Sequence, residues 1–492
     1  MDVVLGLDLG TTNIKALALG ADGQPIAHAS APTPDHNGEY DADELWRVCA
    51  RLTRETVTNL GSARRIAGVA VASMGESGVL LDARAQPLAP IIAWHDQRTA
   101  ESLAAIRAQI AESALYRITG LPLRHIYSAN KLLWSRAHAP EIFARAQTWL
   151  GLADWITFRL TGARAMSESL ACRTLLFDVA RRAWSEELIR LLNLPAHLLP
   201  PVLPSGQIVG AITDAAATET GLRAGTPVAS GGHDHICAAL AAGVIEPGSA
   251  LDSSGTVEAL LTPLAAPLLD DALTGGMACG CHTVRAAHYL LGGVMSGGVV
   301  NWLARMFGGD DAPATVARLM QDAAAAPLGA NDLWFEPYLD GASSRPRDPN
   351  AFGAWLGLRL HHSRADLIRA AMEGITFGIR YLLDGMQSAA KLPARELRAV
   401  GGGTRNVWWQ QLKADILGVP IETLAVADVT AQGAALLAGI ATGMFANAHD
   451  AAHRAYRPAM RYEPHPENRA RYAARYPTFC ALYPAFKQMN VK

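Results

Sequence analysis

The feature that most restricts how this chain can fold is a turn that occurs twice. Asp8-Leu9-Gly10-Thr11-Thr12-Asn13-Ile14-Lys15 near the start is echoed about halfway along by Asp252-Ser253-Ser254-Gly255-Thr256. In both, an apolar run ends at an Asp and then turns through Gly-Thr, which offers backbone N–H groups and hydroxyls to a phosphate with no side chain in the way. Such a repeat predicts two related halves that hold phosphate from two sides. Composition changes little between the halves, so the boundary rests on the repeated turn and is placed near Pro247. The expected units are 1–246, 247–450 and a tail over 451–492 packed on the rest.

Apolar runs at 3–7 and 14–19 flanking the first turn predict a hairpin. The spacing of Leu45, Val48, Leu52, Val57 and Leu60 predicts a helix over 41–60, followed by a buried strand over 65–72. Helices are expected at 129–136, 140–148, 215–221, 299–307 and 364–386, and strands at 227–230, 289–291 and 397–400. Strands alternating with helices indicate an α/β architecture with a sheet covered by helices. The tail reads as a terminal helix with extended ends.

With 43 Lys and Arg against 45 Asp and Glu and no long run of one sign, nothing points to nucleic acid or to an anionic membrane surface. No stretch reads as an 18-residue membrane span. The six cysteines form no evenly spaced framework, which points to a reducing compartment, and the N-terminus has no leader pattern. The reading is a cytoplasmic protein, so an anion site must come from backbone and a few residues.

Asp8 is the candidate to hold Mg²⁺ through water, because Mg²⁺ keeps much of its hydration shell and uses few carboxylates. Lys15 could add a point charge beside Gly10, Thr11 and Thr12, or be a solvated strand residue. The run Gly401-Gly402-Gly403-Thr404-Arg405-Asn406 leaves a flat backbone surface on which a purine could lie, with Asn406 either contacting the ring or capping the next helix. Ser230-Gly231-Gly232-His233-Asp234-His235 places Asp234 at a helix N-terminus, where a carboxylate is stabilised and could take the proton of an attacking alcohol or simply cap the helix. A His-Asp-His zinc site lacks further ligands. Glu76, in the small-residue loop beginning at Ser73, could bind sugar hydroxyls, and Trp94-His95-Asp96-Gln97-Arg98 offers an aromatic face beside polar groups. Cys279-Gly280-Cys281-His282 reads as a small-residue strand.

With these residues in view, the chain resembles the FGGY carbohydrate kinases, the family of glycerol kinase, xylulokinase and gluconokinase. The resemblance runs from about Val3 to Phe445, and its most specific part is Gly353-Ala354-Trp355-Leu356-Gly357-Leu358 followed by Asp366-Leu367-Ile368-Arg369-Ala370-Ala371-Met372-Glu373. Tyr127-Ser128-Ala129-Asn130-Lys131-Leu132-Leu133-Trp134 resembles the N-terminal signature, with departures at Ile126 and Ser135. The resemblance implies two ribonuclease-H-like domains of the actin-like ATPase fold with a cleft between them, ATP and Mg²⁺ as cofactors, and a small-molecule sugar or polyol as substrate.

By the same similarity, Asp8, Gly10, Thr11 and Thr12 look like the first phosphate loop, and Gly255 and Thr256 the second. Gly297 and Asn301 match positions that line the nucleotide, Gly401, Gly402, Gly403 and Asn406 match the adenosine motif, and Asp234 matches the catalytic base. Gly75, Glu76, Trp94, Asp96, Asp234 and His235 form the expected sugar side. Met74-Gly75-Glu76-Ser77 replaces the xylulokinase Gln-Met-His-Gly loop, and Gly75 lacks the Arg of glycerol kinases. Gly341-Ala342-Ser343-Ser344-Arg345-Pro346 also departs from the usual Gly-Glu-Arg-x-Pro. A ketopentose such as D-xylulose is the expected substrate, with glycerol, erythritol, ribulose or gluconate as alternatives. The rival of another class is an actin-like nucleotide-gated binding protein. An isologous homodimer is the default assembly for such enzymes.

Overall fold

The computed structural model describes residues 2–61, 64–342, 344 and 346–488. It contains two large sheets. The first uses β1 (Asp2–Leu9), β2 (Asn13–Leu19), β3 (Pro25–Pro32), β4 (Arg65–Ser73), β5 (Ile208–Ala211) and β6 (Pro227–His233), in the order β5-β6-β4-β1-β2-β3. The second uses β7 (Ser249–Ser254), β8 (Val257–Leu264), β9 (Ala278–Cys281), β10 (His288–Met295), β11 (Glu396–Gly401), β12 (Ile421–Leu424) and β13 (Pro458–Tyr462), in the order β9-β10-β8-β7-β11-β12-β13.

The duplication is topological as well as sequential. Along β3-β2-β1-β4-β6 the pairings run antiparallel, antiparallel, parallel, parallel. Along β10-β8-β7-β11-β12 they run the same way. Each Gly-Thr turn therefore leaves the corresponding central strand of its sheet, β1 or β7. In an α/β sheet that is the end where ligands bind, because loops there are fixed by a rigid frame yet open to solvent.

The helices start where the chain supplies caps. Asp41 accepts a hydrogen bond from Glu44 N at the head of α1 (Ala42–Leu60), and Ser363 with Asp366 forms a reciprocal capping box at the head of the helix Arg364–Ala390. Asp234 begins α2 (Asp234–Ala241), directly after β6. Three helices of the second half are α3 (Gly297–Gly308), α4 (Val407–Leu417) and α5 (Val429–Ala441).

One expectation changes. The helix expected over 140–148 is confined to Pro140–Arg145, and Thr148–Gly151 is a strand antiparallel to Gly78–Leu81. Within the segment placed from sequence in the second unit, α5 is apolar on nearly all sides and packs in one core with β1, β4 and α2. Its approach is so close that a Cβ on Gly433 would lie 1.9 Å from the carbonyl oxygen of Cys237 in α2. In the tail, the helix Pro466–Gln488 forms as expected, but β13 joins the second sheet as an edge strand. Among the described residues, no helix is long and apolar enough to cross a membrane.

Candidate active site

The first Gly-Thr turn is braced from both sides. Gly10 N donates to Asn13 O at 3.1 Å, Thr33 Oγ1 donates to Gly10 O at 2.7 Å, and Thr33 N donates to Thr12 O at 2.9 Å. Asp8 stands opposite Lys15 in the β1–β2 ladder. Lys15 Nζ is 3.1 Å from Asp428 Oδ1, just ahead of α5, so it is half-buried and ion-paired rather than a solvated strand residue.

Asp8 is 5% exposed, and its Oδ1 is buried with no hydrogen-bond partner. Burial, assisted by the charges of Asp234 and Asp428 and opposed by Lys15, pushes its carboxyl up to about 7. An orphaned carboxylate oxygen that other acids destabilise is a fitting anchor for a hydrated Mg²⁺.

Asp234 follows β6, two strands from β1 and at the same end of the sheet, near enough for its charge to act on Asp8. Its Oδ1 accepts from His235 N at 2.6 Å and lies 3.4 Å from His233 Nε2, and a quarter of the side chain is exposed. Burial and Arg173 push the His233 ring well below its usual range, so it is neutral, and its Nδ1 has no partner. The carboxylate is thus fixed at a helix N-terminus without a cation neutralising it, which suits a proton acceptor.

On the sugar side, Glu76 is buried, with φ 66°, a costly conformation for a residue with a side chain. Its Oε1 accepts from Arg173 Nε at 2.7 Å and from Arg173 Nη2 in a shorter contact, while Arg173 Nη1 is buried and unpartnered. Gly75 packs on this pair: a Cβ there would lie 2.7 Å from His233 Cδ2 and 3.4 Å from Arg173 Cγ. The guanidinium that Gly75 cannot supply therefore comes from Arg173, 97 residues away in sequence. Ser128 Oγ donates to Glu76 O at 2.9 Å, and buried Lys131 donates to Ile126 O at 2.6 Å and to Trp94 O at 3.4 Å. Burial pushes Lys131 down to about 8.

Trp94 joins the two sides, because its Nε1 donates to Thr11 Oγ1 at 3.2 Å. Asp96 is differently engaged. It caps the turn 97–101, its Oδ1 accepting from Arg98 N at 2.8 Å and its Oδ2 from Arg98 Nε at 3.0 Å. Burial works against the Asp96 carboxylate, but the hydrogen bonds from Arg98 hold it below the usual range. His235 sits beside His233, ring centroids 5.4 Å apart.

The second turn is assembled from three segments. Gly297 N donates to Gly255 O at 3.2 Å and Gly298 N to Thr256 O at 3.0 Å, so α3 begins against the turn; Asn301 lies exposed on its first turns. Gly401, at φ 91°, packs so tightly on β7 that a Cβ would lie 2.4 Å from Ser254 O. Gly402 is exposed beside Gly403, and Asn406 caps α4 by accepting from Trp409 N at 3.0 Å. Asp252 does not repeat the placement of Asp8. It stands three residues before its glycine instead of two, which in a strand turns it to the other face, and there it is fully buried against Lys413.

Models of the FGGY family of carbohydrate kinases match this frame, the N-terminal domain over residues 3–241 and the C-terminal domain over 251–442. The chain belongs to that family. Its members are ATP-dependent sugar phosphotransferases, which removes the nucleotide-gated binding protein as a rival. The L-fuculokinase of Escherichia coli (strain K12) is 30% identical, with 92% of this chain and 94% of that protein covered. The glycerol kinase of Janthinobacterium sp. (strain Marseille) is 33% identical, with 91% of each covered. The crystal structure of xylulose kinase from Rhodospirillum rubrum superposes with a TM-score of 0.90 at 32% identity over 99% of each chain. Three substrates at nearly equal distance leave the kinase fixed and the sugar open.

Sequence reasoning missed Arg173 and Asp428 and weighed His233 only as part of a His-Asp-His zinc site. Arg173 and Asp428 have no spacing signal, since each acts through a partner brought in by the fold. Cys279 and Cys281 lie in β9 as a small-residue strand. Cys49, Cys172, Cys237, Cys279 and Cys281 are buried and form no disulfide among the described residues. In the altered stretch 341–346, Ser343 and Arg345 lie outside the described residues.

Proposed function

We propose that this FGGY kinase transfers the terminal phosphoryl group of ATP to a primary hydroxyl of a small neutral ketose or polyol, with D-xylulose as the leading substrate. The observation that carries the reading is that Asp234, at a helix N-terminus, and Asp8, whose Oδ1 has no hydrogen-bond partner among the described residues, lie at the same end of one sheet and within electrostatic reach of each other. Asp234 accepts the hydroxyl proton as the substrate oxygen bonds to the phosphorus and the bond to the bridging oxygen of ADP breaks. Mg²⁺, when bound, supplies positive charge to the phosphates, and Asp8 is the residue to hold its hydration shell. Backbone N–H groups of Thr11 and Thr12 and of Gly255 and Thr256 stabilise the charge that spreads over the phosphoryl oxygens.

Glu76 and Arg173 support the choice of a hydroxyl-rich substrate. A buried carboxylate held by a guanidinium presents acceptors and donors side by side, the complement of neighbouring hydroxyls. Trp94 supplies an apolar face for the carbon skeleton. The resemblance to xylulose kinases over the whole chain favours the ketopentose over L-fuculose and glycerol, and six cysteines with no evenly spaced framework support a reducing, cytoplasmic setting.

The test is ADP release from ATP measured with purified protein over a panel of D-xylulose, D-ribulose, L-fuculose, glycerol, erythritol and gluconate. D-xylulose should give the highest kcat/KM. A higher value for glycerol or gluconate would overturn the sugar assignment, and no stimulation by any of the six would overturn the substrate class.

A further inference from the structure

Beneath the second Gly-Thr turn lies a charged network that the reaction described above does not use. Lys413, on α4, is 0% exposed. Its Nζ donates to Asp252 Oδ2 at 2.9 Å, to Ser254 Oγ at 2.9 Å and, in a shorter contact, to Glu258 Oε1. All three N–H bonds of the ammonium are thereby used. Ser254 Oγ donates onward to Glu258 Oε1 at 3.0 Å, and Ser296 Oγ donates to Glu258 Oε2 at 2.7 Å.

The partners are informative because of where they sit. Ser254 is the last residue before the turn, and its carbonyl and side chain are what Gly401 and Gly403 pack on. Ser296 immediately precedes α3, whose first two residues donate to the carbonyls of Gly255 and Thr256. Lys413 itself lies on the helix that follows the Gly401 to Asn406 run. The three segments expected to contact nucleotide thus converge on one ammonium that never reaches the surface.

We propose that Lys413 is a positioning residue for the nucleotide: it sets the spacing of the second phosphate turn, the α3 N-terminus and the glycine run, and neutralises carboxylates that would otherwise repel phosphate. Asp252 and Glu258 are both fully buried, two to four residues from Gly255 and Thr256. Without the lysine, two acidic groups face the underside of an anion site in a region of weak screening, where like charges act strongly. The network touches no residue of the sugar side, so its effect falls on ATP and ADP alone.

The inference rests on the reading that the second turn holds nucleotide, and direct ADP titration separates the two. By calorimetry, Lys413→Met should weaken ADP binding at least about tenfold, while the KM for the best sugar of the panel stays within about twofold. Ser296→Ala removes one hydroxyl arm and should weaken ADP binding about fivefold with an unchanged melting temperature, the effect of one lost hydrogen bond. If Lys413→Met does not fold, Ser296→Ala decides. Unchanged ADP affinity in Ser296→Ala, or an equal loss of sugar and ADP binding in Lys413→Met, would overturn the role of Lys413. Sugar phosphorylation by the wild type with normal ADP binding in both variants would overturn the role of Lys413 and leave the kinase reading intact, and a wild type that binds no ADP would overturn both.

Discussion

Arg173 Nε lies 2.7 Å from Glu76 Oε1 in a pair whose side chains are 7% and 5% exposed. The two lie 97 residues apart in the first half, and their meeting ties a small-residue loop to the segment that follows Ala171. Removing one partner of such a pair leaves the other as a buried, uncompensated charge, at a cost of about 3–5 kcal/mol. Arg173→Met should therefore lower the melting temperature sharply, as read by calorimetry. Glu76→Ala should raise the sugar KM more than about tenfold and the ATP KM less than twofold; equal changes in both would remove Glu76 from the sugar side.

Trp94→Phe keeps the aromatic face but deletes the hydrogen bond to Thr11, worth about 1 kcal/mol. Because that bond ties sugar side to phosphate turn, steady-state kinetics should show both KM values rising together by a few fold. A change in only one of them would separate the two sides.

Gly433 packs α5 against α2, the helix that Asp234 begins. Gly433→Ala forces the helices apart and should cost about 3 kcal/mol. Chemical denaturation reads the stability loss, and a fall in kcat should accompany it because the displaced helix carries Asp234, the proposed proton acceptor.

Glu336, in the strand Trp334–Glu336, is 1% exposed, and neither carboxyl oxygen has a hydrogen-bond partner among the described residues. Burial pushes its carboxyl up from 4.5 to about 8. A folded value above the unfolded one contributes stability that is complete below about pH 4.5 and is lost as the pH rises through 8. Glu336→Gln should match the wild type near pH 4.5 and exceed its stability by roughly 4 kcal/mol at pH 8, measured by denaturant titration at both values.

Much of this was legible in the chain because it is local. The Gly-Thr turns, the hairpin at Asn13, the Asp41 cap and the strand ahead of Asp234 are written in adjacent residues. What was not legible depends on long-range placement. An all-apolar segment such as 429–441 announces burial but not which core receives it. The strand expected over 227–230 runs on through Gly231 and Gly232 to His233. The pairs Glu76–Arg173 and Glu258–Lys413 join residues 97 and 155 positions apart, and a solitary Arg or Lys carries no periodicity to betray a partner. Asp252 shows how a single residue of offset reverses a role: two positions before the glycine, Asp8 faces the phosphate side, and three positions before it, Asp252 faces the core.

The central claim is that Asp234 takes the proton of the attacking hydroxyl, and single-turnover kinetics with Asp234→Asn addresses it most directly. Phosphoryl transfer should slow by about 10²-fold or more while ADP affinity stays at the wild-type value. Transfer at the wild-type rate in that variant would contradict the account.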